Sequence, residues 1–144
     1  MVESLKTHFK LKGKKLLPLV QGGMGVGISA HRLAGSVAAL GAMGTISSVD
    51  LRRHHPDLMA RTHTSKNIDL INASNLEALD REIQEARALS EGRGAIAVNI
   101  MRAVSQYAEY VRQSCESGAD AVVVGAGLPL DLPELTADYP NVAI

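Results

Sequence analysis

The chain has 144 residues, 46% of them hydrophobic and 21% charged, with fifteen basic residues balancing fifteen acidic ones. That composition supports one ordinary domain with a real core and excludes a disordered chain; the zero formal charge argues against a broad nucleic-acid surface, which needs a basic face. The single cysteine, Cys115, leaves no intrachain disulfide, and no apolar run is long enough for a membrane span or a well-flanked signal peptide, so a soluble cytoplasmic protein is expected.

Residues 5–12 alternate, with Leu5, Thr7, Phe9 and Leu11 against Lys6, His8, Lys10 and Lys12. Period two predicts a half-exposed strand, and Gly13-Lys14-Lys15 a turn, so residues 1–15 form a small hairpin. Its five lysines suit a solvated face better than a phosphate patch. Residues 16–20 predict the first central strand, which runs into Gln21-Gly22-Gly23-Met24-Gly25-Val26-Gly27. A buried strand feeding a glycine cluster that opens a helix lets a ligand approach the backbone closely, and that reading is favoured over a tight turn without a ligand. Ser29 is placed to cap a helix over residues 30–40, with Leu33, Val37 and Leu40 as its apolar stripe and Gly41 as its end. Residues 43–47 then predict a second strand, completing a unit of βαβ size.

Residues 50–63 carry His54, His55 and His63 in a polar setting, without cysteines or a carboxylate pair at ligand spacing. A solvated loop or short helix is expected there rather than a metal site, in a connection long enough to serve as a lid. Ser74-Asn75-Leu76-Glu77 matches a capping box, and Leu76, Leu79, Ile83 and Ala86 mark the inner face of a helix reaching Ser90. Residues 95–100 predict a third strand, interrupted by Asn99. A helix over residues 104–117 follows, with Val104, Ala108, Val111 and Cys115 inward, Cys115 as a core residue rather than a nucleophile. Residues 118–125 repeat the helix-to-strand exit of residues 41–46 and give a fourth strand ending in Gly125. Residues 132–136 predict a short helix and residues 141–144 the start of another strand.

Near-continuous apolar strands alternating with helices imply an α/β fold with a parallel sheet, either doubly wound or a (β/α)8 barrel. A dinucleotide-binding turn wants G-x-G-x-x-G and an acidic residue closing the second strand. Glycines at 22, 23, 25 and 27 break that spacing, and Asp50 lies beyond the strand end.

From Leu16 onward the chain resembles the nitronate monooxygenases (2-nitropropane dioxygenases), FMN-dependent (β/α)8 barrels. The residues that carry the resemblance are Pro18-Leu19-Val20-Gln21-Gly22-Gly23-Met24, Leu33-Ala34 with Gly41-Ala42-Met43-Gly44-Thr45-Ile46, Val98-Asn99-Ile100-Met101, and Gly118-Ala119-Asp120 with Gly125-Ala126-Gly127-Leu128-Pro129. FMN-dependent enoyl-acyl-carrier-protein reductases look similar over the same motifs. The resemblance implies the N-terminal half of an FMN-binding TIM barrel over residues 16–144, stopping at the start of the fifth strand. It also implies FMN contacts from Gln21, Gly22, Gly23, Met24, Ser47, Asn99 and Gly125. The intact enzyme would oxidise an alkyl nitronate, or a nitroalkane, with O2 to a carbonyl compound and nitrite. The phosphate-binding loops and the histidine base of a Gly-Gly-His segment belong to the family's second half. None of His8, His31, His54, His55 or His63 has that context, and His31 is expected to face solvent, so no catalytic residue and no metal ligand is assigned. The other readings are an NAD(P)H-dependent enoyl-thioester reductase and a non-catalytic half-barrel that self-associates into a homo-oligomer. Neither a nucleic acid nor a membrane is expected as a partner.

Overall fold

The computed structural model describes residues 7–144. It is a mixed α/β structure with five α-helices, a three-stranded parallel sheet and a small antiparallel hairpin. Elements run β1 (Phe9–Leu11), β2 (Lys14–Leu16), α1 (His31–Ala39), β3 (Met43–Ser47), a 3-10 turn (Leu51–His54), α2 (Pro56–Thr62), α3 (Ile68–Ser90), β4 (Ala95–Met101), α4 (Tyr107–Glu116), β5 (Ala121–Gly125) and α5 (Leu132–Leu135).

The sheet order is β3-β4-β5, all parallel, with Ser47 opposite Asn99 and Met101 opposite Gly125. Both edges carry one more partner. Val20 bridges Met43 in parallel, in a short ladder where Leu17 N–H donates to Gly41 O, Met43 N–H to Leu19 O and Gln21 N–H to Met43 O. On the far side Ala143 bridges Ala121, also in parallel. The expected first strand and the start of the next are therefore present as edge pairings, except that Leu16 belongs to the hairpin. Among the described residues the sheet is open, not a closed barrel.

Ile46, Ile96, Val98, Ile100 and Val122 face the helices and join one core with Leu79, Ile83, Ala86 and Val111. The alternate residues Met43, Ala95, Ala97, Ala121 and Ala143 face the other way and meet Phe9, Leu11 and Leu16 of the hairpin. The hairpin thus covers the N-terminal ends of the strands. Lys14 fastens it, its Nζ lying 2.7 Å from Asp120 Oδ1 and donating to Gly94 O at 3.3 Å. Of the five lysines, Lys6 lies outside the described residues, and Lys14 is a latch rather than part of a solvated face. The hairpin turns at Lys12-Gly13, both at positive φ, and Lys14 and Lys15 are already in β2, so the turn comes one residue earlier than the Gly13-Lys14-Lys15 turn expected.

Four local expectations are corrected. Helix α1 buries Ala34, Gly35 and Ala38, while Leu33 and Val37 are half-buried and Leu40 is exposed. The small face wins because the helix lies almost on the sheet backbone: a Cβ on Gly44 would run into the Ala34 carbonyl, and one on Gly94 into the carbonyls of Ala38 and Ala42. Ser29 does not cap α1; the N-cap is Ala30, with no side-chain cap bond. Helix α3 starts at Ile68, capped by Asn67, whose side chain accepts from Leu70 N–H, so Ser74 and Asn75 are buried in its interior instead of forming a capping box. Asn75 accepts the Arg52 N–H instead. Helix α4 is shorter at both ends than residues 104–117, starting at Tyr107. Of the two forms expected for residues 50–63, a solvated loop or a short helix, the helical one is present: residues 51–62 fold as the 3-10 turn and α2, with Leu51 and Leu58 fully buried.

Cys115 is buried on α4, and burial pushes its thiol up to about 11. It should resist a disulfide-exchange reagent at about pH 8 in the folded protein and react at once in denaturant; ready reaction in the native state would place it elsewhere. Gly44→Ala should cost about 1–3 kcal/mol in urea unfolding. Gly22→Ala, with open space around the new Cβ, should stay within about 0.5 kcal/mol.

Candidate functional site

The sheet face turned away from the helices changes character along the strands. At the N-terminal end it is small and apolar under the hairpin. At the C-terminal end it presents Thr45 and Ser47 of β3, Asn99 and Met101 of β4, and Val123 and Gly125 of β5. Met101 and Val123 are 38% and 41% exposed, and Thr45 Oγ1 is buried without a partner. In parallel α/β sheets the strand C-termini are where ligands bind.

The glycine cluster reaches this face through Gln21. Its side-chain amide donates to Thr45 O at 3.1 Å, and its Oε1 accepts the Thr45 N–H at 3.0 Å. Those are the bonds the next backbone residue of an edge strand would make, so the side chain finishes the ladder and releases the main chain from sheet register. The freed loop crosses the ends of β3 and β4. A Cβ on Gly23 would lie 2.6 Å from Asn99 Cβ, and one on Gly25 would lie 2.7 Å from Val49 Cγ1 and 3.2 Å from Ser47 Oγ. Glycine is required at both places because side chains of the sheet already occupy the space.

Ser29 holds the loop shut. Its Oγ accepts from Met24 N–H at 2.6 Å and donates to Met24 O at 3.1 Å, while its own N–H donates to Met24 O. Its carbonyl accepts from Ser47 N–H at 3.0 Å, tying the loop to the end of β3. A buried serine with these bonds has no hydroxyl left for α1, which is why the capping expectation fails.

The structure brings Gly23 to Asn99 and Gly25 to Ser47. The Asn99 Nδ2 also points at Val123 O, 3.5 Å away. Gln21 is committed to the ladder, Met24 leaves its side chain exposed, and Gly22 has open space around it. Gly125 ends β5 opposite Met101 with open space, apart from the loop. Sequence reasoning missed Thr45, Val49, Ser29 and His54, the last of which packs against Gly27. Thr45 and Val49 carried a weak signal, the first as a hydroxyl inside an apolar strand and the second as an apolar residue just past its end.

The assembled surface is partly apolar and uncharged and offers the Asn99 amide, while the unpartnered Thr45 hydroxyl lies buried within it. It can hold a planar ligand and hydrogen-bond its edge; it has no acid or base to move a proton. Among the described residues no group of three or more His, Cys, Asp and Glu could hold a metal ion, and no helix is long and apolar enough to cross a membrane. No family model and no curated protein matches the chain.

Gln21→Ala should orphan the Thr45 N–H and cost about 1–3 kcal/mol. Amide exchange at Thr45 should accelerate while Val98, in mid-sheet, stays protected; unchanged Thr45 protection would show that the loop is anchored elsewhere.

Proposed function

We propose that this chain is the first half of an FMN-binding barrel and that its glycine loop and strand ends form the ring side of the flavin site. One observation carries the reading: five consecutive parallel segments, residues 17–21, β3, β4, β5 and Ala143, neighbour one another in chain order. Right-handed crossovers that always step the same way put every helix on one face and leave the other for an interior. A doubly wound sheet instead reverses its order at a switch point, and no reversal occurs among the described residues.

The residues fit a flavin ring. Gly22 and Gly125 leave room for a planar system, Met24, Met101 and Val123 offer apolar surface, and Asn99 offers an amide to a polar ring edge. Thr45 Oγ1 is a buried hydroxyl without a partner on the same face. FMN would supply the redox chemistry. The chain's own part is to place the ring against Asn99, to limit water on the loop side and to hold the loop through Gln21 and Ser29. By resemblance, the complete enzyme would oxidise a nitronate with O2 to a carbonyl compound and nitrite, its base coming from another half-barrel.

FMN titrated into the protein and followed by flavin fluorescence is expected to bind saturably. Asn99→Ala should weaken binding about three- to tenfold, the worth of one hydrogen bond. Absence of saturable binding in the parent chain would overturn the flavin reading. With a complementing half-barrel, nitrite release from a nitronate supports the monooxygenase, whereas NADPH oxidation with an enoyl thioester and no nitrite moves the assignment to the reductase.

A further inference from the structure

We infer that Glu82, in the middle of α3, is the positioning residue of the glycine loop, an assignment whose ligand role rests on the flavin reading above. Glu82 is 2% exposed, and it sits on the apolar side of its helix between Leu79, Ile83 and Ala86. Burying a lone carboxylate is costly, so its partners define its purpose. Oε2 accepts the backbone N–H of His31 at 2.7 Å and the His31 Nδ1–H at 2.7 Å. Oε1 lies 3.0 Å from His55 Nε2, a close contact without hydrogen-bond alignment. His31 Nε2 in turn lies 2.9 Å from Glu85 Oε2, so both its ring nitrogens face carboxylates and the expectation that it faces solvent is corrected.

Each arm leads to the loop. His31 is the first residue of α1, whose own cap offers no side-chain bond, so Glu82 supplies the acceptor and the negative charge that a helix N-terminus favours. Two residues earlier stands Ser29, which holds Met24 by both its backbone and its hydroxyl. On the other arm His55 follows His54, whose imidazole fills the place a Cβ on Gly27 would take. One carboxylate therefore fixes both ends of residues 24–27, within which Gly25 lies against Ser47 and Val49. Around it lies a cleft of about 500 Å³, lined by Gly27, Ile28, His31, His54 and Glu85 among others, so there is little packing to replace the lost bonds.

The test uses the chain without flavin first. In Glu82→Ala, amide exchange at Met24 and Ser29 should rise about tenfold or more while Val98 in β4 keeps its protection. Glu82→Gln, which keeps one acceptor oxygen, should restore part of the effect. Exchange that rises at His31 alone, with Met24 and Ser29 unchanged, would overturn the inference and leave Glu82 a helix cap. Should Glu82→Ala not fold, exposed His54→Ala reads the second arm: faster exchange at Met24 and Ser29 supports the inference, and no change refutes it. FMN titration then follows, with about tenfold weaker binding expected in Glu82→Ala. If the parent chain binds no FMN, the flavin reading fails while the exchange data still decide the role of Glu82. If it binds FMN equally well with Glu82 replaced, positioning of the ligand loop is refuted.

Discussion

From Leu17 to Ala143 the sheet is held by parallel ladders between segments that follow one another in the chain, and most of what distinguishes this structure depends on that pairing. Parallel neighbours need crossovers, and crossovers of one hand that always advance in one direction stack α1, α3 and α4 on one face. The opposite face is left without helices. It must either be filled by small side chains under a lid or be kept for something else. Here the two solutions divide the face between them. Alanines under the hairpin occupy the N-terminal half, and Thr45, Ser47, Asn99 and the glycine loop occupy the C-terminal half.

The same pairing explains why α1 is built as it is. A helix joining adjacent parallel strands must lie close over them, and α1 also packs along α3, where a Cβ on Gly35 would come 2.8 Å from Leu89 Cβ. Close approach on two sides leaves no volume for leucines, so Ala34, Gly35 and Ala38 take the buried arc. Dispersion contacts between backbones replace what larger side chains would contribute elsewhere. The close seat of α1 then fixes where its N-terminus points, and with it Ser29 and the loop that Ser29 closes.

How much of this was legible in the sequence depends on the range of the deciding interaction. Strand β3 is read correctly at 43–47, because a glycine exit followed by β-branched residues is a local signal. Cys115 is read correctly as a core residue, because its helix shows a clear apolar stripe. Ser29 and Ser74 both have the local chemistry of caps, yet Ser29 finds its partner in Met24 and Ser74 lies inside a helix whose start is set six residues earlier by Ile68. The leucine stripe of α1 misleads because periodicity reports side-chain character and not the distance to the next layer. Resemblance names Gly23, Asn99 and Gln21 for one site; in the structure a Cβ on Gly23 would meet Asn99, and Gln21 spends its amide on the sheet.

The histidines make the sharpest case. His31 and His55 look unremarkable in sequence because the carboxylates they meet lie 27 to 54 residues downstream. A trace of the cluster was nonetheless present. In the helix that follows, Glu82 falls on the arc marked by Leu79, Ile83 and Ala86, where a charge has no place unless something buried answers it. A carboxylate inside an apolar stripe is therefore better evidence of a polar network than three histidines in a polar segment. That network sits beside the glycine loop and not beneath the candidate ligand surface. Its chemistry is thus spent on holding the loop's backbone, while the strand ends below carry the uncharged side chains of Thr45, Ser47 and Asn99.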